Sequence, residues 1–409
     1  MRKTSCKNRV KTNDSIRSFS QELTALLGPS QAYAQESTLS SDSGFSGFAV
    51  RLFRLQFQYN PIYRQWCETR GVEPDRIHHW SEIPAMPAVG FREKPVTCIE
   101  ESERLHCFQS SGTTHRNTSR HFHHHESLGL YESSLLPPFL RHLLPAPESV
   151  SHQPKPGGPS CQPFLIILTP SKIQAPSSSL VHMMDTIHRH IGKANACFTG
   201  LVDSSGGWDL DLNATVKVLN QTENTNRRFL VLGTAFAFVH LLDHLSATGR
   251  TFRLPEGSRV LETGGYKGKS RQVPKSDLHE SITRLLGVPP RNIVSEYGMC
   301  ELSSQAYDHI AGARFQESRN SLETSRSFYF PPWARFRIIS PETGLEPQEG
   351  EIGLIQVFDL ANAWSVLAIQ TEDLGIQTGQ GFKLVGRAIR AEQRGCSLMQ
   401  KEASHEPSA

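Results

Sequence analysis

Several features that mark other classes of protein are missing from this sequence. The chain has 409 residues, and 43 Lys and Arg against 40 Asp and Glu leave a formal net charge of only +3. A charge this small creates no field that would favour nucleic acid or an acidic membrane surface as a partner. No apolar run approaches the roughly 18 residues that a membrane-spanning helix needs, so no transmembrane segment is predicted.

Motifs built on cysteine are also missing. The eight cysteines are scattered along the chain without a C-x-x-C pair. No apolar stretch typical of a secretory signal follows the basic residues near Met1. The simplest interpretation is a cytoplasmic protein with free thiols. The histidine-rich stretch at residues 121–125 lacks acidic or cysteine partners at ligand spacing, so it does not predict a metal site.

A chain of this length can form a large core with two or three lobes. Residues 1–47 are rich in Ser, Thr and Gln and weakly apolar, which predicts a disordered N-terminal extension with at most a short helix near residues 19–27. Order is expected to begin at Phe48, where apolar residues recur at helical spacing. The proline-rich stretch at residues 145–163 is predicted to be an exposed loop.

The middle of the chain alternates strand and helix patterns, which predicts an α/β fold with a mostly parallel sheet and flanking helices. Residues 164–168 form a continuous apolar run, as expected for a strand covered on both faces. Ligands of such sheets bind beyond the carboxyl ends of the strands. Two predicted strands end at Gly264 and at Tyr297. Short alternating strands after residue 328 predict a smaller β-rich lobe.

Residues 110–114 have the composition of a phosphate-binding loop, because hydroxyls, backbone N–H groups and a glycine occur together. The segment is not the nucleotide loop G-x-x-x-x-G-K-[ST], since no Lys follows the glycine at the required position. An ordinary turn is the competing interpretation of such a short cluster. The residues of this loop are Ser110, Ser111, Gly112, Thr113 and Thr114.

Four segments occur in an order and spacing that resembles the adenylate-forming superfamily, which includes acyl-CoA synthetases and phenylacetate–CoA ligases. They are residues 110–114, 297–301, 371–375 and 386–388. The chain is more closely similar to the acyl-protein synthetases, the fatty-acid ligase component of bacterial luminescence reductase complexes. That closer resemblance is carried by residues 80–87, 262–271, 297–305 and 394–398, and it extends over about residues 48–398.

The resemblance implies an adenylate-forming enzyme with ATP and Mg²⁺ as cofactors. Residues 48–327 would form the α/β adenylation core, and residues 328–390 would be the β-rich lobe that completes the nucleotide site. Residues 391–409 would be a short segment in place of the larger, mobile carboxyl-terminal domain of related enzymes. The implied substrate is a carboxylic acid, expected to be a long-chain fatty acid, and the acyl group would pass to a reductase or transferase partner.

The resemblance also assigns roles around the nucleotide. The loop at residues 110–114 would hold the phosphates. Gly264 and Gly265 would let the backbone approach the nucleotide, and Tyr297, followed by Gly298, would stack on adenine. The structural alternative for Tyr297 is an aromatic residue of the core.

Three charged groups complete the implied site. Glu301 would bind Mg²⁺, which prefers hard oxygen ligands beside phosphate. Asp373 would accept hydrogen bonds from the ribose hydroxyls, and Arg387 would reach ribose or phosphate. The structural alternatives are a carboxylate at a helix N-terminus for Glu301 and a turn residue for Asp373.

Cys396 is the last implied functional residue. Acyl-protein synthetases carry the acyl group on a cysteine of their own near the carboxyl end, and Cys396 between Gly395 and Ser397 resembles that position. The alternative is a small buried hydrophobic residue, which is common for cysteine. Two other functions stay open: an acyl- or aryl-CoA ligase of the same superfamily, and a non-catalytic nucleotide-binding protein on this fold.

Overall fold

The computed structural model describes residues 5–28, 38–110, 118–145, 162–191, 196–204, 206–222, 225, 227–265, 273–312 and 326–388. Within these residues the α-helices are α1 (Ser5–Leu26), α2 (Asp42–Tyr59), α3 (Pro61–Glu68), α4 (Gly90–Glu93), α5 (His125–Leu143), α6 (Ser179–Ile191), α7 (Leu212–Asn220), α8 (Ala235–Ala247) and α9 (Lys275–Leu286). The strands are β1 (Met86–Pro87), β2 (His106–Gln109), β3 (Arg120–His123), β4 (Phe164–Ile167), β5 (Ala196–Phe198), β6 (Gly200–Val202), β7 (Trp208–Leu210), β8 (Phe229–Thr234), β9 (Arg259–Thr263), β10 (Ile293–Tyr297), β11 (Ala306–Tyr307), β12 (Ala334–Ile339), β13 (Ile352–Asp359), β14 (Ala368–Thr378) and β15 (Gly381–Arg387).

A six-stranded sheet has the order β11-β10-β9-β8-β4-β5, and all its neighbouring pairs are parallel except β10 with β11. Successive side chains of a strand point to opposite faces. Val260 and Ile293 accordingly join one hydrophobic cluster with α8 and α9, whereas Leu261 and Val294 join a second cluster with α5 and α6. The sheet is therefore buried on both faces, which confirms the predicted α/β fold.

A second sheet of five strands is mostly antiparallel. Its order is β1-β14-β13-β12, and β15 also pairs with β14. Strand β1 is the exception in direction, because it runs parallel to β14. This sheet matches the β-rich lobe predicted after residue 328, with the addition of β1 from a distant part of the chain.

The chain reverses sharply at Asn60. The backbone N–H of Asn60 donates to the carbonyl of Gln56 and closes α2, and its side-chain oxygen accepts from the N–H of Tyr63 (3.0 Å) at the start of α3. Pro61 occupies the first turn of α3, where its missing N–H costs nothing. The Asn-Pro pair therefore ends one helix and starts the next.

The amino-terminal region differs from the expectation of a disordered extension. Helix α1 covers Ser5–Leu26, and Ile16, Phe19, Leu23 and Leu27 are buried in the core. These four residues recur at helical spacing and form one apolar stripe. The polar composition of the intervening positions concealed that stripe, because average composition does not report which face a residue occupies.

The hydrophobic clusters do not follow the expected boundary at residue 328 between the α/β core and the β-rich lobe. One cluster joins side chains from α1, α2 and residues 83–99 with side chains of the antiparallel sheet. The side chain of Gln56 on α2 donates to the carbonyl of Asn362 (2.8 Å) and accepts from the N–H of Leu367 (2.9 Å). The amino-terminal helices therefore pack with the β-rich sheet, because their apolar faces are buried there.

Candidate functional site

The carboxyl ends of β9 and β10 lie side by side at one edge of the parallel sheet. Glu296 pairs in register with Thr263, so the residues after each strand emerge together. Gly265 follows β9 with φ of +107°, a conformation that residues with side chains rarely adopt. Among the residues that the structure describes, none lies within 4 Å of a Cβ built on Gly264 or Gly265. The described neighbours therefore leave the backbone accessible at these two glycines.

Gly298 is constrained in a different way. A Cβ at this position would lie 2.4 Å from Oε1 of Glu296, so a side chain here would force the carboxyl group of Glu296 to move. The carboxyl group of Glu296 is itself buried. Burial, together with the charge of Glu262, raises the pKa of Glu296 to about 8. Sequence reasoning did not identify Glu296, although it directly precedes the Tyr297-Gly298 pair.

Tyr297 links the two sheets. Its hydroxyl donates to Oδ2 of Asp373 on β14 (2.9 Å). Its ring is only 6% exposed, and it packs against Phe328 and Phe382. Burial raises the pKa of Asp373, and the hydrogen bond from Tyr297 opposes that rise. Asp373 lies within a strand and not in a turn, which excludes the turn interpretation of this residue.

Arg387 lies directly across from Asp373 in the β14–β15 pair. Its guanidinium donates to Oε2 of Glu372, the residue before Asp373. Partial burial opposes the charge of Arg387, but the hydrogen bond to Glu372 and the nearby carboxylates prevail and raise its pKa. The Arg387 side chain is 66% exposed, so it can still reach a ligand.

Glu301 is a carboxyl group enclosed by protein. It is 5% exposed, and burial raises its pKa. The thiol of Cys300 lies 3.2 Å from its Oε2. Glu301 lies in a turn and not at the N-terminus of a helix, so the macrodipole interpretation does not apply. A buried carboxyl without a full cationic partner is costly, and such groups concentrate at functional sites.

The turn that carries Glu301 is fixed to the antiparallel sheet. The side chain of Asn362 donates to the carbonyl of Glu301 (2.9 Å). The backbone N–H groups of Ser303 and Ser304 both donate to Oδ2 of Asp359 (2.9 and 2.8 Å). These bonds hold the segment after β10 against the end of β13, and they set the position of Glu301.

The predicted phosphate loop connects β2 to β3. The N–H of Ser110 donates to the carbonyl of Ser119 (3.1 Å), and the N–H of Ser119 donates to Oγ of Ser110 (2.9 Å). Nδ1 of His121 donates to the carbonyl of Cys300 (2.9 Å), which places this hairpin beside Glu301. The other loop residues lie outside the described residues, as does Cys396. They are Ser111, Gly112, Thr113 and Thr114.

The structure therefore brings together the described residues that sequence reasoning assigned to one site. The charge of Glu301 acts on both Tyr297 and Arg387. The hairpin base at Ser110 reaches Glu301 through His121 and Cys300. Besides Glu296, two charged residues of this region were missed, Arg92 and Glu372. Glu372 was detectable as the neighbour of Asp373, whereas nothing in the sequence around Arg92 pointed to this site.

Two further findings concern metal binding and membrane insertion. In the part of the chain that the structure describes, no group of three or more His, Cys, Asp and Glu side chains is arranged to hold a metal ion. None of the described helices is long and apolar enough to cross a membrane.

Comparison with known protein families gives a match over more than half of the chain. The family described as acyl-protein synthetase, LuxE, matches residues 179–404. The long-chain-fatty-acid–luciferin-component ligase of Aliivibrio fischeri is 23% identical over 358 residues, which are 85% of this chain and 85% of the relative. The ligase of the same name from Vibrio harveyi is 21% identical over 366 residues, 86% of this chain and 87% of the relative.

Solved structures show the same fold. An open conformation of 2-hydroxyisobutyryl-CoA ligase in complex with 2-HIB-AMP and CoA is similar with a TM-score of 0.58 and 12% identity, over 85% of this chain and 69% of that chain. The same ligase in the thioesterification state gives a TM-score of 0.58 over 85% of this chain and 68% of that chain. The fold is therefore that of adenylate-forming ligases.

Proposed function

The chain belongs to the acyl-protein synthetase family, and from that membership we propose that it uses ATP to activate a carboxylic acid and then transfers the acyl group to a thiol. In the first step a carboxylate oxygen attacks the α-phosphorus of ATP, the bond to pyrophosphate breaks, and acyl-AMP forms. In the second step a thiolate attacks the acyl carbon, the bond to AMP breaks, and a thioester forms. The thiol proton passes to solvent.

Activation is needed because a carboxylate is a poor electrophile whose leaving group would be oxide. The protein's task is to align ATP with the acid and to stabilise the charge that develops at phosphorus. The observation that supports this proposal is the convergence of Tyr297, Asp373 and Arg387 with Glu301 beside the base of the 110–114 loop. These groups come from both sheets, and they meet beyond the carboxyl ends of parallel strands, where such folds bind ligands.

Each group has a chemical task in this proposal. The Asp373 carboxylate would accept hydrogen bonds from the ribose hydroxyls, and its bond from Tyr297 fixes its orientation. The exposed guanidinium of Arg387 would bind ribose or phosphate. Gly264 and Gly265 would leave space for the nucleotide. Tyr297, whose ring is packed in the core, would act through its hydroxyl bond to Asp373.

We assign the metal role to Glu301. Its carboxylate is the hard oxygen ligand that Mg²⁺ prefers, and a cation beside it would offset the cost of burying its charge. When bound, Mg²⁺ would neutralise the charge that builds up on the departing pyrophosphate. Glu301 needs no second protein ligand in this arrangement, because phosphate oxygens and water complete the coordination.

The substrate proposed here is a long-chain fatty acid, because both relatives are named as long-chain-fatty-acid ligases. ATP–pyrophosphate exchange measures acyl-AMP formation without the second step, so it can be tested with acids of graded chain length. We expect exchange to depend on the acid and to be fastest with long chains. Absence of exchange with every acid would favour the non-catalytic nucleotide-binding alternative.

For the second step we propose Cys396 as the acyl acceptor, and a reductase or transferase as the partner that receives the acyl group. Labelled fatty acid and ATP should leave label on the denatured protein. Cys396→Ala should abolish this retention and leave acid-dependent exchange intact. Cys197→Ala, which removes a half-buried free thiol of β5, is the matched control and should retain the label.

Retention of label by Cys396→Ala would contradict the assignment of the acceptor. A rate of thioester formation that saturates with coenzyme A would instead favour the CoA-ligase alternative. A cytoplasmic location also belongs to this proposal, because the cysteines described by the structure are unpaired and the partner is expected in a reducing compartment.

A further inference from the structure

A short strand from the amino-terminal part of the chain reaches the candidate site. Strand β1 pairs with β14 at Met86 and Pro87, and the N–H of Ala88 donates to the carbonyl of Gln370 (2.9 Å). Helix α4 begins at Gly90, directly after this pairing. The helix is therefore held next to the segment of β14 that carries Glu372 and Asp373.

Helix α4 also contacts the hairpin that carries the loop at residues 110–114. The ring of Phe91 packs edge-on against the ring of His121, with 6.2 Å between their centroids. Arg92 follows Phe91, so it lies between the hairpin and β14. It is thus on the same side of the molecule as the proposed nucleotide site.

Arg92 is anchored to a carboxylate that a second arginine also uses. Its Nη2 lies 2.6 Å from Oε2 of Glu372, and Arg387 binds the same oxygen. The side chains of Arg92 and Glu372 are only 21% and 14% exposed, whereas that of Arg387 is 66% exposed. The Arg92–Glu372 pair is thus shielded from solvent, and Arg387 is the member of this group that can move towards a ligand.

The balance of charges around Glu372 determines what the Arg92 side chain does. Glu301, Glu372 and Asp373 are acidic, and only Arg92 and Arg387 oppose them among the side chains discussed above. An ATP molecule would add further negative charge. If Glu372 had Arg387 as its only partner, it would compete with the nucleotide for that guanidinium and would also repel the phosphates. A fixed cation on Glu372 removes both effects.

We propose that Arg92 is a positioning residue of the nucleotide site: it neutralises Glu372 and so frees Arg387 to bind ATP. This inference rests on the proposed function, because it requires that ATP binds at this site. It assigns a role to the amino-terminal segment, which contributes a second cation at Glu372.

The test measures KM for ATP and KM for the acid in ATP–pyrophosphate exchange, together with the binding of labelled ATP by equilibrium dialysis. We expect Arg92→Gln to raise KM and Kd for ATP by about 10-fold, which is the effect of about 1.4 kcal/mol. KM for the acid should change by less than about twofold, because the pair faces the nucleotide and not the acid. Lys94→Gln removes the same charge two residues along, at an exposed position, and should leave all constants unchanged.

The double variant Arg92→Gln with Glu372→Gln separates positioning from a general structural effect. Removal of Glu372 also removes the competitor for Arg387, so ATP affinity should return to within about threefold of wild type, a coupling between contacting residues. Arg92→Lys keeps the charge and should retain most of the affinity. It also serves as the informative variant if Arg92→Gln fails to fold.

The outcomes distinguish this inference from the proposed function. Acid-dependent exchange by wild type with unchanged ATP constants in Arg92→Gln would overturn the positioning role alone. The same conclusion follows if the double variant binds ATP as weakly as Arg92→Gln does. If Arg92→Gln does not fold, a loss of ATP affinity of about 10-fold in Arg92→Lys leads to the same conclusion. Binding of ATP by wild type without exchange would overturn the proposed function, and the dialysis constants would still decide the role of Arg92. Failure of wild type to bind ATP would overturn both.

Discussion

The two sheets of this protein are built from the chain in different ways. The parallel sheet uses one nearly continuous stretch, from β4 to β11, and both of its faces are covered by helices. The antiparallel sheet joins β12–β15 with β1, which lies more than two hundred residues earlier in the chain. It packs against α1 and α2 from the amino terminus. Local sequence patterns are sufficient to predict the parallel sheet, whereas the antiparallel sheet depends on contacts between distant segments.

The difference is reflected in the candidate site. The parallel sheet contributes open backbone and buried acids at the ends of its strands, at Gly264, Gly265 and Glu296. The antiparallel sheet contributes charged side chains from within its strands, at Asp373 and Arg387. Neither sheet alone supplies both a space for a ligand and the groups to bind it. The hydrogen bond between Tyr297 and Asp373 joins the two contributions.

The largest expected effect tests whether both sheets serve one site. Asp373→Ala removes a carboxylate of the antiparallel sheet, and we expect kcat/KM for ATP to fall about 100-fold, equivalent to about 2.7 kcal/mol of transition-state stabilisation. The reason is that the ribose would lose its acceptor and Tyr297 would lose its partner. Exchange kinetics at varied ATP provide the measurement. Glu349→Ala removes an exposed carboxylate before β13 and should behave as wild type. Equal activity of both variants would show that Asp373 does not take part in the nucleotide site.

An intermediate effect tests whether the amino-terminal helices belong with the antiparallel sheet. The buried Gln56 side chain bonds to backbone groups of Asn362, Ala363 and Leu367. Gln56→Ala would remove the acceptor of the Leu367 N–H and one hydrogen bond from each of the two carbonyls, so we expect the free energy of unfolding to fall by about 2 kcal/mol. Gln58→Ala, on the exposed side of the same helix, should change it by less than about 0.5 kcal/mol. Urea denaturation measures the free energy of unfolding of both variants. Indistinguishable midpoints would show that the packing of α2 on the antiparallel sheet adds no stability.

The last effect concerns the polar edge of the parallel sheet and depends on pH. The pKa of Glu296 is raised from 4.5 to about 8 by burial, so above pH 4.5 the unfolded chain loses a proton that the folded protein keeps. The stability linked to this group is therefore complete below pH 4.5 and is lost as pH rises towards 8. Glu296→Gln carries no such proton, and we expect it to be more stable than wild type at pH 8 but not at pH 4.

Thermal unfolding of wild type and Glu296→Gln across this pH range measures the difference. Glu280→Gln, an exposed acid of α9, is the control and should follow the wild-type profile. Parallel profiles for Glu296→Gln and wild type would mean that Glu296 ionises normally in the folded protein. Such a result would weaken the contrast between the two sheets, in which Glu296 of the parallel sheet is buried without a cation and Glu372 of the antiparallel sheet is paired with arginine.

The parallel sheet was predicted from local patterns in the sequence, whereas the candidate site residues were predicted from a resemblance to a known family. The apolar run at β4 predicts a strand covered on both faces, and the glycines after β9 predict open backbone at a strand end. The segments around Tyr297, Glu301, Asp373 and Arg387 were identified because their order and spacing resemble those of the adenylate-forming superfamily. The amino-terminal helix was underestimated, because its apolar stripe of Ile16, Phe19, Leu23 and Leu27 is diluted by polar neighbours.

Periodicity along the chain was enough to specify the α/β class and the strand ends, because those properties depend on neighbours along the backbone. The candidate site residues were predicted from the resemblance of short segments to a known family. The position of Arg92 beside Glu372, the burial of Glu296 and the packing of α1 and α2 on the antiparallel sheet were settled by folding. Each depends on which distant surfaces come into contact. Burial and charge pairing arise from that contact, and no local pattern encodes them.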